Sequence, residues 1–379
     1  MATRIRYAEI VDRGVRIGFG SDERVVELPS RWLRDHGDDP SSVDPDTLQR
    51  KVDTFAISAD VEPLELAFGD GRLSLSWSDG ATTTHDASAL ADLIEDRRRP
   101  SPARPDRLIS VAPDLNLWVG ETGPSTPMDA EALAEPEGVT EMLNALHRAG
   151  WVLIDGVPAG EAAVHQLVAH IGYVRRTIFG DIWEMAPGLD DHQDSAYDTT
   201  DMEVHTDCTY SHDAPGVMLF ACQEKTGEGG ESVLVDGFAA ARDMASSAPA
   251  LADTLTRFAV AGRYIEPGVS LLAERPPLRL DPTDQLVQVS FNNYDRSPRL
   301  PVDIWVDTVI DAYSSFHELI TDPARQIRLG WKPGRVLIFD NWRLLHGRTA
   351  FTGGRRFLGC YLNHEDLESR LRVAGLAGV

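Results

Sequence analysis

Apolar and polar residues alternate along Arg72-Leu-Ser-Leu-Ser-Trp77, which predicts a half-buried strand. Gly69-Asp-Gly71 supplies a turn before it and Asp79-Gly80 a turn after it. Shorter strands are expected at Val15–Phe19 and Arg24–Leu28, so the first hundred residues read as a small β-rich unit. The basic, proline-rich stretch from Arg97 to Pro105 reads as a linker and puts a boundary near residue 100. Beyond residue 130 the pattern changes. Gly138–Arg148 has helical spacing and stops at Gly150, Trp151–Ile154 is an apolar run of the buried-strand type, and Glu161–Ile171 is helical again. Further apolar runs bounded by turn residues follow at Gly216–Cys222, Ser232–Val235, Leu286–Phe291, Arg335–Phe339 and Phe357–Leu362. Their irregular separation speaks against a βαβ ladder or a repeat. It predicts a mainly β fold, a sandwich or jelly roll covered by helices.

A chain of 379 residues with this organisation carries two domains. The expected division is 1–100, a linker over 101–130, and a second domain over 131–379. Composition narrows the function: 36 basic against 60 acidic residues give a net charge of −24. Such a surface repels phosphate backbones and anionic lipid heads, so neither nucleic acid nor a membrane surface is an expected partner. No apolar stretch approaches the ~20 residues of a membrane span, and the start of the chain lacks the apolar run of a signal peptide. Three cysteines, Cys208, Cys222 and Cys360, exclude a disulfide framework and fit a reducing cytoplasm.

The candidate chemistry lies in histidines. Two neutral imidazoles and one carboxylate hold a non-haem iron and leave positions open for co-substrate and oxygen. A His-x-Asp pair at a strand end supplies two of these ligands on one side. The chain has four such pairs: His36–Asp38, His192–Asp194, His205–Asp207 and His364–Asp366. Most must be chance, solvated loop histidines beside an Asp. His205–Asp207 stands apart because it precedes the turn His212–Gly216 and the apolar run that follows, as expected at a sheet edge. His346, at the end of the strand-like Arg335–Phe339 segment and just before Gly347, is the candidate third ligand. Nine residues later Arg355-Arg356 offers the fork that fixes a dicarboxylate, and Ser232 in Gly229-Gly-Glu-Ser232 can add a hydroxyl.

Taken together, His205-Thr-Asp207, Gly229–Ser232, His346 and Arg355 resemble the iron(II)- and 2-oxoglutarate-dependent oxygenases. More closely, the chain resembles the γ-butyrobetaine and trimethyllysine dioxygenases, nearly end to end. Trp32-Leu-Arg-Asp35 matches their first domain. Asn292–Arg296, Lys332–Arg335, Asn341–Arg348 and Gly359–Leu362 match the second. The resemblance implies a double-stranded β-helix that holds Fe(II) through His205, Asp207 and His346. It also implies Arg355 and Ser232 on the distal carboxylate of 2-oxoglutarate, with Arg356 as the alternative, and a homodimer. One departure stands out. Family members place structural-zinc cysteines just after Trp-Leu-Arg-Asp, where this chain reads His36–Val43 without a Cys, and the later ligand turn reads Asp79-Gly80-Ala81. The expectation is a first domain without zinc, held by its apolar core.

The same resemblance implies an aromatic cage for a trimethylammonium group, since a quaternary cation is best held by ring faces. The matching positions are Phe179, Trp183, Tyr197 and Tyr361. Asp194 sits where the trimethyllysine enzymes meet the substrate's α-amino group, and Asn292 and Asn293 are candidates for polar contacts. The stretch from Asp181 to Asp207 carries nine acidic residues and no Lys or Arg, which reads either as a solvated loop or as a negative mouth for a cation. Nε-Trimethyllysine is the favoured substrate. γ-Butyrobetaine and a trimethylammonium phosphonate such as 2-(trimethylamino)ethylphosphonate remain alternatives, as do hydroxylation, desaturation and rearrangement as outcomes. A non-catalytic binder of quaternary ammonium ions is the rival of another class.

Overall fold

In the computed structural model, residues 5–20, 24–95, 109–122, 126–186, 199–297 and 306–377 are described. Strands β1 (Ile5–Val11), β2 (Gly14–Phe19) and β3 (Arg24–Pro29) form one antiparallel sheet and lead into helix α1 (Ser30–Asp35). Strands β4 (Pro63–Gly69), β5 (Arg72–Trp77) and β6 (Thr82–Asp86) form a second, followed by α2 (Ala87–Glu95). The alternation in β5 does what its pattern dictates: Leu73, Leu75 and Trp77 are buried and the residues between them are not. They pack with Ile17, Trp32 and Leu33 into one apolar core that also takes in Ile310 from further along the chain.

Where the chain continues past α1, carboxylates tie it to β6. The amide of Asp38 donates to the Thr84 carbonyl (2.9 Å), the Thr84 amide to Asp39 Oδ2 (3.2 Å) and the Asp86 amide to Asp38 Oδ2 (2.5 Å). His36 is no solvated loop residue. Its ring is buried and stacks on Trp32 at 4.4 Å, because the helix ends there and turns the imidazole back over the preceding turn.

The rest of the chain forms two larger sheets with helical cover. In order come β7 (Met128–Asp129), α3 (Pro136–Ala149), β8 (Trp151–Asp155), α4 (Glu161–Val168), β9 (Ile182–Met185), β10 (Met202–His205), β11 (Val217–Lys225) and β12 (Ser232–Asp236). Then follow α5 (Gly237–Ser247), α6 (Pro249–Arg257), β13 (Val260–Glu266), β14 (Val269–Arg275), β15 (Leu278–Leu280), β16 (Leu286–Val289) and α7 (Val306–Thr321). The series ends with β17 (Ile327–Leu329), β18 (Val336–Asp340), β19 (Leu344–Arg348), β20 (Arg355–Leu362) and α8 (His364–Val373). Six strands associate in the order β7-β8-β18-β11-β20-β9, and four in the order β10-β19-β12-β17.

Period-two alternation sets the layers. On the four-stranded sheet, Val204, Val233, Val235 and Leu345 face helices α5, α6 and α7 and share a core with Phe238, Leu255 and Phe316. Their neighbours Leu234, His205 and His346 point the other way, where the rings of Phe339 and Phe220 lie 5.0 and 5.8 Å from the His346 ring. Helices α3, α4 and α8 cover the six-stranded sheet through Leu146, Leu167 and Leu367. The two sheets therefore face each other, and the residues between them form the site. No helix among the described residues is long and apolar enough to cross a membrane.

Candidate active site

β10 and β19 are antiparallel neighbours, and the register sets His205 directly opposite His346. Only glycine fits beside it. A Cβ on Gly347 would come within 2.5 Å of the Met202 carbonyl oxygen, so the close approach of the two strands depends on that residue. Asp207 follows β10, with Oδ1 3.3 Å from His205 Nε2 and 3.6 Å from His346 Nε2. One ligand atom from each of the three lies within 4.8 Å of the others. Among the described residues this is the group of acidic, histidine or cysteine side chains that can hold a metal ion.

Surrounding contacts point these donors inward. His205 Nδ1 lies 2.8 Å from the Glu203 carbonyl, so it carries the proton and leaves the Nε2 lone pair for a metal. Burial pushes His346 down to about 3, which keeps its imidazole neutral. Burial acts to raise Asp207, but the His346 and His205 rings and the Tyr361 hydroxyl outweigh it and hold the carboxyl at about 2. Tyr361 donates to Asp207 Oδ2 at 2.6 Å, which leaves Oδ1 for coordination. Burial acts to lower His205, but Asp207 outweighs it and raises the ring, so a metal there would take the place of a proton on Nε2. Two imidazoles and an ionised carboxylate on one side of a cavity suit a divalent first-row metal with open positions.

Asp207 is itself gripped by Asn341. Asn341 Oδ1 accepts from the Asp207 amide (2.9 Å), and Nδ2 donates to the carbonyls of Asp207 (3.2 Å) and Pro215 (2.9 Å). The next residue, Cys208, has a φ of 58°, a left-handed conformation unusual for a side chain of this kind. Asn341 lies five residues before His346, so one segment carries a ligand and braces another. The sequence reading gave Asn341 no role. Its signal was its place in the run that ends at His346.

The cavity beside the triad, of about 90 Å³, is lined by Ser232 and Arg355 on one side and by Phe179, Trp183 and Tyr361 on another. Arg355 is caught between rings, its guanidinium carbon 4.1 Å from the Phe357 ring centre and 5.4 Å from that of Phe351. No acidic side chain pairs with it among the described residues, and its Nε is buried without a hydrogen-bond partner. Burial and the neighbouring Arg348 lower it to about 10, still cationic at neutral pH. Ser232 Oγ accepts from Trp331 Nε1 at 3.2 Å. Arg356 takes the other face of β20, exposed and paired with Glu224 at 2.8 Å. Alternation along the strand turns Arg355 toward the cavity and Arg356 away from it.

The rings form a continuous wall. Trp183 lies 4.3 Å from Tyr361 and 6.2 Å from Phe179. Gly359 makes room for it, since a Cβ there would meet the indole at 2.6 Å. Tyr210, which sequence reasoning did not single out, also lines the cavity and contacts Tyr264 at 5.0 Å. Asn292 faces the cavity, whereas Asn293 does not line it and instead accepts from Arg296 Nε at 3.0 Å. Asp194 and Tyr197 lie outside the described residues, as does the part of the acidic stretch from 187 to 198 that contains them.

Residues 118–361 match the model of the taurine catabolism dioxygenase TauD, TfdA family. The mitochondrial trimethyllysine dioxygenase of Rattus norvegicus is 30% identical over 360 residues, covering 93% of this chain and 84% of that protein. That of Homo sapiens is 29% identical over 364 residues, with the same coverage of 93% and 84%. The gamma-butyrobetaine dioxygenase of Pongo abelii is 28% identical over 386 residues, covering 98% of each. With a metal-competent His-Asp-His cluster beside a cationic pocket, these matches make the chain an Fe(II)- and 2-oxoglutarate-dependent dioxygenase that belongs to the TauD/TfdA family, among the trimethyllysine and γ-butyrobetaine dioxygenases.

Proposed function

We propose that this enzyme oxidises a C–H bond of a small trimethylammonium compound, with Nε-trimethyllysine as its favoured substrate. The observation that carries the reading is a wall of three aromatic rings, Phe179, Trp183 and Tyr361, in the same cavity as the His205–Asp207–His346 cluster. Ring faces attract a cation that cannot donate hydrogen bonds, and a desolvated setting strengthens that attraction. The relatives named for trimethyllysine and γ-butyrobetaine support the same class of substrate.

In this reading His205, Asp207 and His346 hold Fe(II). Arg355 and Ser232 take the distal carboxylate of 2-oxoglutarate, for which a buried guanidinium lacking an acidic partner is prepared. Held there, the metal would supply the activation of O₂, one oxygen atom of which ends in succinate as 2-oxoglutarate loses CO₂ and the other in the substrate, where C–H becomes C–OH. The protein's own residues do the rest. Tyr361 keeps Asp207 turned toward the metal and lends its ring to the substrate wall, and Asn341 fixes the backbone that carries Asp207. The facing sheets correspond to a double-stranded β-helix that follows a first domain of 1–100. Trp118 and β7 (Met128–Asp129) pack with the six-stranded sheet, so the second domain begins inside the segment 101–130 expected as a linker. Three free, buried thiols suit a reducing compartment such as the cytoplasm.

The test is a panel of trimethyllysine, γ-butyrobetaine, 2-(trimethylamino)ethylphosphonate and their unmethylated forms, scored by succinate release and product mass. Trimethyllysine should give stoichiometric succinate and a product heavier by one oxygen. Faster turnover of lysine than of any trimethylated compound would refute the proposal.

A further inference from the structure

Two motifs singled out in the sequence, Trp32–Asp35 and Asn292–Arg296, meet in the fold although 261 positions separate Asp35 from Arg296. We propose that Asp35 is a positioning residue for the substrate side of the active-site cavity, acting from the N-terminal sheets through Arg296. The inference rests on the reading that this cavity receives the substrate.

The contacts run in one continuous line. Asp35 is fully buried, and its Oδ2 accepts from Arg296 Nη2 at 2.9 Å. Its Oδ1 accepts from Thr54 Oγ1 at 2.7 Å and from Arg50. Arg296 Nη2 also reaches Thr54 Oγ1 at 2.8 Å, so the guanidinium is fixed from two directions by the N-terminal region. The Nε edge of Arg296 then donates to Asn293 Oδ1 at 3.0 Å, which accounts for Asn293 turning away from the cavity. With Asn293 held outside, its neighbours close a turn. Asn292 Oδ1 accepts the amides of Tyr294 (2.9 Å) and Asp295 (3.1 Å), and Asn292 Nδ2 donates to Asp295 Oδ2 (2.8 Å). Asn292, Tyr294 and Asp295 thereby line the cavity. The far end is tied down where the Tyr294 hydroxyl accepts from the Glu203 amide at 3.0 Å, two residues before His205.

A buried ion pair adds little net stability over an apolar contact, yet loss of one partner strands the other charge in the interior. Asp35→Asn would strand Arg296, release Asn293 and loosen the turn. The carboxylate-binding side, on β12 and β20, has no part in this line of contacts. His205, for its part, stays opposite His346 through the pairing of β10 with β19, so the effect should fall on substrate and spare 2-oxoglutarate and metal. A merely structural role for Asp35 would lower the folded fraction and weaken all three alike.

The experiment uses the full-length enzyme and Asp35→Asn, with Thr54→Val and Arg296→Lys as milder variants should the first fail to fold. Affinity for Mn(II), for 2-oxoglutarate and for trimethyllysine is measured by anaerobic titration. Amide hydrogen exchange across 290–297 is followed in the absence of substrate. The expected result is trimethyllysine affinity weakened by ~10-fold or more, as a small misplacement of positioning groups produces. Mn(II) and 2-oxoglutarate affinity should stay near wild type, and exchange should be faster at 292–297. Unchanged exchange there in a folded variant, or equal weakening of metal, co-substrate and substrate, would overturn the proposal. If wild type binds no trimethyllysine, the substrate reading fails separately, and the exchange data still decide whether Asp35 holds the turn.

Discussion

His36-Gly-Asp38 and His205-Thr-Asp207 are the same three-residue pattern in two parts of one chain, and they do opposite things. His36 ends a helix, stacks on Trp32 and lies beside Asp35, while Asp38 turns away to cap the β6 backbone. Burial, with Arg296 and Arg50 nearby, drives the His36 imidazole well below its ordinary range despite the Asp35 charge. His205 ends a strand whose direct partner carries His346, and Asp207 is braced by Asn341 and Tyr361 so that three donors converge. The lesson is that His-x-Asp fixes only spacing. A metal site needs a second strand in register and contacts that aim the donors. A third copy, His364–Asp366, starts a helix, and there His364 stacks on Trp342 at 4.2 Å and pairs with Asp340 and Glu368.

The largest effect that separates these regions should come from His346→Ala. Succinate release should fall by ~10³-fold or more, since the metal carries the chemistry, with folding intact by circular dichroism. His36→Ala should do the reverse. It should lose ~2 kcal/mol or more of stability in urea titrations, as a buried ring leaves a cavity, while the folded enzyme keeps its metal affinity. Next in size, Arg355→Ala should raise the KM for 2-oxoglutarate ~10–100-fold, the value of a charge-assisted pair. Arg356→Ala should leave it within about twofold, because an exposed ion pair contributes little. Steady-state kinetics with varied co-substrate checks both. Asn341→Ala should weaken Mn(II) binding ~10-fold or more, in keeping with the loss of a group that orients a ligand, as read by titration of the apoenzyme.

Much of this was legible in the sequence. The β5 alternation, the apolar runs that became β8, β11, β12, β18 and β20, and the His205–Asp207–His346 set all lie where pattern and spacing place them. Other parts were not. β10 and β19 are short and carry the ligands themselves, so polar residues interrupt the apolar signal that marks a strand. The hairpin β13–β14 is only partly buried and alternates weakly. Asn293 shares its residue type and neighbourhood with Asn292, and only the Arg296 contact reveals that it faces elsewhere. Which of Arg355 and Arg356 faces the cavity depends on the register of β20.

Smaller effects sharpen the comparison further. Trp183→Leu should raise the KM for trimethyllysine ~3–30-fold, the range of one cation–π contact, and leave the KM for 2-oxoglutarate unchanged. The least effect belongs to His364. Its Asp340 and Glu368 contacts outweigh burial and raise it to about 9. Because the folded value lies above the unfolded one, near 6.5, that stabilisation is complete below pH ~6.5 and is lost as pH rises through 9. His364→Gln should accordingly flatten the fall in Tm of the wild type between those values, in a thermal melt series at fixed ionic strength.

Anaerobic equilibrium binding of Fe(II) to wild type, His36→Ala and His346→Ala puts the central claim to the most direct test. One ion per chain in the first two proteins and none at the same concentration in the third is the predicted result. Retention of a full equivalent of iron by His346→Ala would contradict the account.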